Sequence, residues 1–135
     1  MLRILVDTSV VLATLDPGDA LHLPAASASR IERAAGHELI VPMSVLAEVL
    51  VRPARRGRRE LRRWRDLTVA NFGAPIQIDE AIAVAAATRR ARHSALRLPD
   101  ALVLATADVL QADRVLTGDK RWCALDERVH LVAAA

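Results

Sequence analysis

The sequence predicts an α/β protein, a three-layer α/β/α sandwich around a central, mostly parallel sheet. Three observations lead there. Short apolar runs recur at residues 2–6, 37–41, 76–78, 114–116 and 129–132; segments of helical character separate them; and turn-forming residues stand at the junctions. Strands that alternate with helices in this way bury a parallel sheet between helical layers through right-handed crossovers.

Residues 2–6 form the first strand, and Asp7, Thr8 and Ser9 then supply capping oxygens for a helix over 10–15. A turn at Asp16, Pro17 and Gly18 leads to an amphipathic helix over 24–35, which Gly36 ends. After a strand at 37–41, Pro42 and Ser44 open a helix that runs through Glu48 to about residue 51 and stops near Pro53. An arginine-rich helix extends to about Phe72. Gly73 and Pro75 break the chain before a short strand at 76–78, and Asp79 caps an alanine-rich helix reaching about His93. Pro99 opens a deeply buried helix that carries Asp100 in its first turn and runs to Leu110. A strand at 114–116, a loop of Thr117, Gly118 and Asp119, and a last strand at 129–132 complete the order.

With 135 residues, 53% of them hydrophobic, the chain is expected to form a single domain over 1–135 with its own core. Asp7, Glu48 and Asp100 interrupt its apolar stretches, so none approaches the roughly 20 residues needed to span a membrane. Asp7 also breaks the apolar run after Arg3, and no small-residue cleavage site follows it, which argues against export. Cys123 is the lone cysteine; it excludes an internal disulfide and a cysteine-built zinc site and fits a cytoplasmic location. His22, His37, His93 and His130 lack metal-ligand spacing, and the few glycines form no phosphate-binding loop.

The net charge of +3 is mild, but its distribution is not: Arg52, Arg55, Arg56, Arg58, Arg59, Arg62, Arg63 and Arg65 face only Glu60 in that stretch. Such a field draws polyanions. It also fits a solvated helix face, because Leu50, Ala54, Gly57, Leu61, Trp64 and Thr68 recur at helical spacing beneath it. Arg55, Arg56 and Arg59 are accordingly candidates for RNA or partner contact. With Trp64, Phe72 and Trp122 as the only aromatic residues, a base-stacking platform is disfavoured.

The chemistry is expected to lie in the acids. Carboxylates are seldom buried unless paired or bound to metal, yet Asp7, Glu48 and Asp100 each interrupt an apolar stretch. Asp7 and Asp119 both follow directly on strands, at the carboxyl ends where parallel sheets bind ligands. Asp100 opens a helix on the same face, and Glu48 flanks the inward stripe of Val41, Val45 and Val49. Brought together, four carboxylates repel one another unless a divalent cation neutralises them, and Mg2+ suits an all-oxygen set, with Mn2+ as substitute. Taken singly, Asp7 reads as an N-cap, Asp100 as a first-turn acid and Asp119 as a turn residue. Glu48 has no comparable explanation. Asp119 is expected to contact metal or water rather than to be an essential ligand.

Four segments carry a resemblance: Leu5-Val6-Asp7-Thr8-Ser9-Val10, Ser44-Val45-Leu46-Ala47-Glu48-Val49, Leu98-Pro99-Asp100-Ala101 with the apolar run after it, and Leu116-Thr117-Gly118-Asp119. In this order they resemble the acidic motifs of PIN-domain ribonucleases, and in length and layout the chain is most similar to VapC toxins. The resemblance implies a PIN-like fold and a magnesium-dependent endoribonuclease with Asp7, Glu48, Asp100 and Asp119 as its metal-binding acids. Water is the nucleophile in such enzymes, and the products are a 5'-phosphate and a 3'-hydroxyl. Ser9 and Thr117 match hydroxyl residues that orient a carboxylate or water from behind. A homodimer and a small VapB-like antitoxin that covers the acidic cleft are also implied. Other readings fit less well: a haloacid-dehalogenase phosphatase needs an aspartate where Ser9 stands, and a receiver domain needs an acidic pair near the first strand. A non-catalytic RNA-binding or regulatory module using the arginine-rich helix is the remaining alternative.

Overall fold

The computed structural model describes residues 1–134. Among them, a four-stranded sheet is formed by β1 (Arg3–Val6), β2 (Glu38–Ile40), β3 (Arg114–Thr117) and β4 (Val129–Leu131), all parallel and ordered β2-β1-β3-β4. Between β1 and β2 run α1 (Thr8–Leu15) and α2 (His22–Ala34); between β2 and β3 run α3 (Met43–Ala54), α4 (Arg58–Phe72), α5 (Glu80–Arg92) and α6 (Leu98–Val109). The first crossover steps one way from β1 and the second returns past it, so right-handed connections carry the helices to opposite faces. The α/β sandwich that the strand and helix alternation predicts is the fold observed.

The alternation works because each apolar run meets a partner. Ile4, Leu5 and Val6 are fully buried in the central strand, against Val10 and Val11 of α1, Val45 and Val49 of α3 and the apolar body of α6. Val103, Leu104, Ala105 and Ala107 of α6 are inaccessible, matching the deep burial expected of that helix. Edge strand β4 is thinner, with His130 and Leu131 exposed.

Several boundaries differ from expectation for identifiable reasons. The strand expected at 76–78 is only an isolated bridge: Ile76 N–H donates to Val41 O (2.9 Å) and Met43 N–H to Ile76 O (2.8 Å), and the chain then leaves for the Asp79 cap. Helix α3 does not stop before Pro53 but includes it: the buried ring offsets the lost bond to the Val49 carbonyl, and the helix ends one residue later at Ala54. The arginine run is split by a turn between α3, which ends at Ala54, and α4, which Gly57 precedes as N-cap with a φ of 113°. Thr117 closes β3 instead of opening the loop, and a short 3-10 helix, η1 (Lys120–Ala124), follows, with Trp122 buried beneath it.

Helices α5 and α6 are clamped to the start of β4 by an ion-pair ring. Arg89 of α5 grips Asp108 through both carboxylate oxygens (2.7 and 2.9 Å) and reaches Asp126 (3.1 Å). Arg128 closes the ring on Asp126 (2.7 and 3.0 Å) and Asp108 (2.6 Å). Hydrogen bonding from Arg128 holds the Asp126 carboxyl down at about 2, and the contacts from Arg89 and Arg128 lower Asp108 against the upward push of burial.

Candidate active site

The reversal of strand order falls between β1 and β3, and the carboxyl ends of these neighbours are where an open parallel sheet offers a crevice. Asp7 sits there as the N-cap of α1, 7% exposed, its Oδ1 accepting from Thr8 N–H (2.7 Å). Its Oδ2 accepts from two hydroxyls, Ser9 (3.0 Å) and Thr117 (2.9 Å). Those hydroxyls are themselves fixed, because Gly118 N–H donates to Ser9 Oγ (2.9 Å) and Asp119 N–H to Thr117 Oγ1 (3.1 Å). The space at Gly118 is tight: a Cβ there would stand 3.0 Å from Leu21 Cδ1 and 3.3 Å from Ser9 Oγ, so those two side chains would have to shift by a few tenths of an ångström.

Burial pushes the Asp7 carboxyl above its ordinary range, the three donors pull it back, and the charge of Asp100 raises it again. Burial likewise raises Asp100, opposed by Arg97 and reinforced by Asp119. Asp119 is the exception: Arg121 grips it (2.6 Å) and holds it below its ordinary range. Glu48 joins from α3 through a relay, since Thr8 Oγ1 donates to Glu48 Oε1 (3.2 Å) while Thr8 N–H serves Asp7. It lies half-buried beside the buried stripe of Val45 and Val49. The four acids thus form a chain of neighbours from Glu48 through Thr8 to Asp7, Asp100 and Asp119.

By chemistry this set suits a hard divalent cation: every donor is a carboxylate oxygen, and no cationic side chain among the described residues pairs with Asp7. The geometry is open. Among the described residues no three histidine, cysteine or acidic side chains stand close enough to enclose an ion. Arg97, 3.8 Å from Asp100, and Arg121 on Asp119 occupy two of the acids instead. Magnesium commonly takes one or two carboxylates and completes its shell with water and substrate phosphate, so an open set with Asp7 at its centre fits it better than it fits a calcium cage.

Thr8, Arg97, Arg121 and Gly118 are the site residues that sequence reasoning passed over. The spacing of the two arginines, three residues before Asp100 and two after Asp119, was the available signal. Arg55, Arg56 and Arg59 stand at the junction of α3 and α4. Arg55 caps the end of α3, Arg56 lines a groove with Asp16, Asp19 and Trp64, and Arg59 lines another with Arg58, Arg62 and Arg63. No helix among the described residues is long and apolar enough to cross a membrane.

Comparison with solved structures gives the same fold. A toxin–antitoxin complex from Klebsiella pneumoniae superposes with a TM-score of 0.75 at 24% identity, covering 98% of this chain and 99% of that one. VapBC2 from Rickettsia felis, bound to a DNA fragment from its promoter, matches with a TM-score of 0.75 at 11% identity over 96% of both chains. VapC20 from Mycobacterium tuberculosis, a toxin that cleaves the sarcin–ricin loop, matches with a TM-score of 0.72 at 21% identity, covering 90% of this chain and 94% of that one. A search of curated proteins returned no match. The PIN domain family matches residues 4–128, which span both strands of the acidic crevice and every helix between them, and the chain belongs to that family.

Proposed function

We propose that this chain is a magnesium-dependent endoribonuclease and the toxin of a toxin–antitoxin pair. One observation carries the reading. Asp7 is a buried carboxylate fixed by three donors, beside the charge of Asp100 and without a cationic partner among the described residues. An anion held this way is costly to the fold unless something binds it. Magnesium at Asp7, Glu48, Asp100 and Asp119 would offset their charge, acidify a water and screen the phosphate under attack.

The protein's own part is positioning. Ser9 and Thr117 fix the direction in which Asp7 presents its remaining lone pairs, and Thr8 keeps Glu48 in register with it. Water attacks the phosphorus, the bond to the 3'-oxygen breaks, and the leaving oxygen takes up a proton, giving a 5'-phosphate and a 3'-hydroxyl. Asp119, already neutralised by Arg121, contributes a contact to metal or water rather than an essential ligand.

Single-stranded RNA is the substrate and the cytoplasm the place of action. A VapB-like antitoxin and a second copy of the chain are the partners, supported by the toxin–antitoxin relatives and by Leu23 and Ile31, which α2 leaves exposed. The purified protein is expected to cut RNA with Mg2+ or Mn2+ and to stop when a chelator is added. Asp100→Asn should abolish cutting while leaving the circular dichroism spectrum unchanged. Undiminished cleavage by that variant would sink the assignment of the site, whereas RNA binding without any cleavage by the wild type would favour a non-catalytic module acting through the arginine-lined groove of α4.

A further inference from the structure

We propose that a cavity beside Asp100 seats one nucleotide of the RNA strand, next to the phosphate that the acids address; this rests on the ribonuclease reading above. The cavity holds about 420 Å³ and lies between the end of α5, the first turn of α6 and η1. That volume is within the roughly 300–1,000 Å³ usual for small-ligand sites. Asp100 belongs both to the chain of acids and to the cavity wall, so a strand whose phosphate meets the acids brings its adjoining residue to the cavity mouth.

Charge and surface select the occupant. Arg92, Arg97 and Arg121 line the cavity against the single carboxylate of Asp100, which favours an anion. Arg97 and Arg121 are 73% and 79% exposed. The Arg97 pair, exposed and 3.8 Å long, is weakly held, so its guanidinium is free to turn to an arriving phosphate, and Arg121 can add the Nη1 donors that its bonds to Asp119 leave over. No side chain among the described residues caps the first turn of α6, so the amides it has besides Pro99, which lacks an N–H, add positive character near the same rim. Leu96 and the edge of Trp122 give the inner wall an apolar character suited to a base and indifferent to its identity.

The test reads binding without cutting, by fluorescence anisotropy of a short labelled single-stranded oligoribonucleotide in the presence of a chelator. Ala95→Phe, which fills the cavity from an exposed position on its wall, is expected to weaken binding at least about fivefold with an unchanged salt slope, because it removes no cation. Removing Arg97 and Arg121 together should weaken binding and flatten the salt slope by about one to two charges. An abasic strand of equal length should bind the wild type as weakly as the intact strand binds Ala95→Phe. If Ala95→Phe lowers the melting temperature, Ser94→Trp fills the same space from the loop. The proposal is overturned if the filled variants bind the intact strand as the wild type does, including the case where only association between protein chains changes. The two readings fail separately. An inactive protein whose RNA affinity still falls in these variants keeps the cavity and loses the nuclease; an active one whose affinity ignores them does the reverse.

Discussion

Two groups of carboxylates stand at different places on this sheet and are treated in opposite ways. Asp108 and Asp126 are locked to Arg89 and Arg128, whose side chains are only 20% and 23% exposed, and both acids are held below their ordinary range. Asp7 and Asp100 are pushed above theirs, and the arginine nearest Asp100 is mostly solvent-exposed. The first group joins α5, α6 and β4 and uses its charge up inside the protein. The second keeps its charge unsatisfied at the carboxyl ends of the central strands. The same residue type is structural where a buried guanidinium completes it and available for chemistry where, as at Asp7, hydroxyls and an amide alone support it or, as at Asp100, the guanidinium is exposed and distant.

The largest effect that would break this contrast concerns Asp7. Asp7→Asn should lower RNA cleavage by about a thousandfold, the scale of losing a metal's electrostatic contribution, while raising the unfolding free energy by about 1 kcal/mol as a functional-site cost is relieved. The amide can still accept from Thr8 N–H, and the hydroxyls of Ser9 and Thr117 can turn to accept from its NH2. A variant that loses both activity and stability would show Asp7 to be a structural cap. Arg128→Met is the converse case. It leaves Asp126 with Arg89 as its one guanidinium partner and should destabilise the fold by about 2 kcal/mol, read by urea titration, with cleavage per folded molecule unchanged.

The smallest and sharpest comparison is with pH. Asp126 has a folded pKa of about 2, below its unfolded value of 3.8, so its stabilisation is complete above about pH 4 and is lost as pH falls toward 2. Asp7 runs the other way. With a folded pKa above 3.8, it binds its proton more tightly when folded, so its ionisation subtracts stability as pH rises and the penalty fades in acid. Melting temperatures of Arg128→Met from below, and of Asp7→Asn from above, should both converge on the wild type as pH falls from about 5 toward 2. Parallel curves for either variant would mean that its effect is not electrostatic.

Much of the layout was legible because strand and helix signals here are strong and separated by proline, glycine or capping residues. Asp7 as an N-cap, Asp79 as another and Gly36 at a helix end are local features that a sequence displays. The failures share one cause: they depended on tertiary partners. Ile76 finds only one bridge to Pro42 and no ladder, and Trp122 is buried beneath a 3-10 turn that no periodicity marks. In the site, positions of acids after strands were readable, but the pairing of Arg97 with Asp100 and of Arg121 with Asp119 was carried by their spacing alone. The split of the arginine run at Gly57 was hidden because helical spacing carries straight through it.

The hydrogen bond from Thr117 to Asp7 joins residues 110 positions apart, and the β1–β3 pairing that brings them together is just as distant in the chain. Such contacts form late and slowly. During translation at roughly 5–20 residues per second, Asp7 waits on the order of ten seconds for β3 to be synthesised, and longer for it to leave the ribosome. Until then the nascent chain has Asp7, Glu48 and, later, Asp100, but neither Asp119 nor the Thr117 hydroxyl that orients Asp7. The order of the strands alone thus keeps the surroundings of Asp7 incomplete until residue 117 is in place.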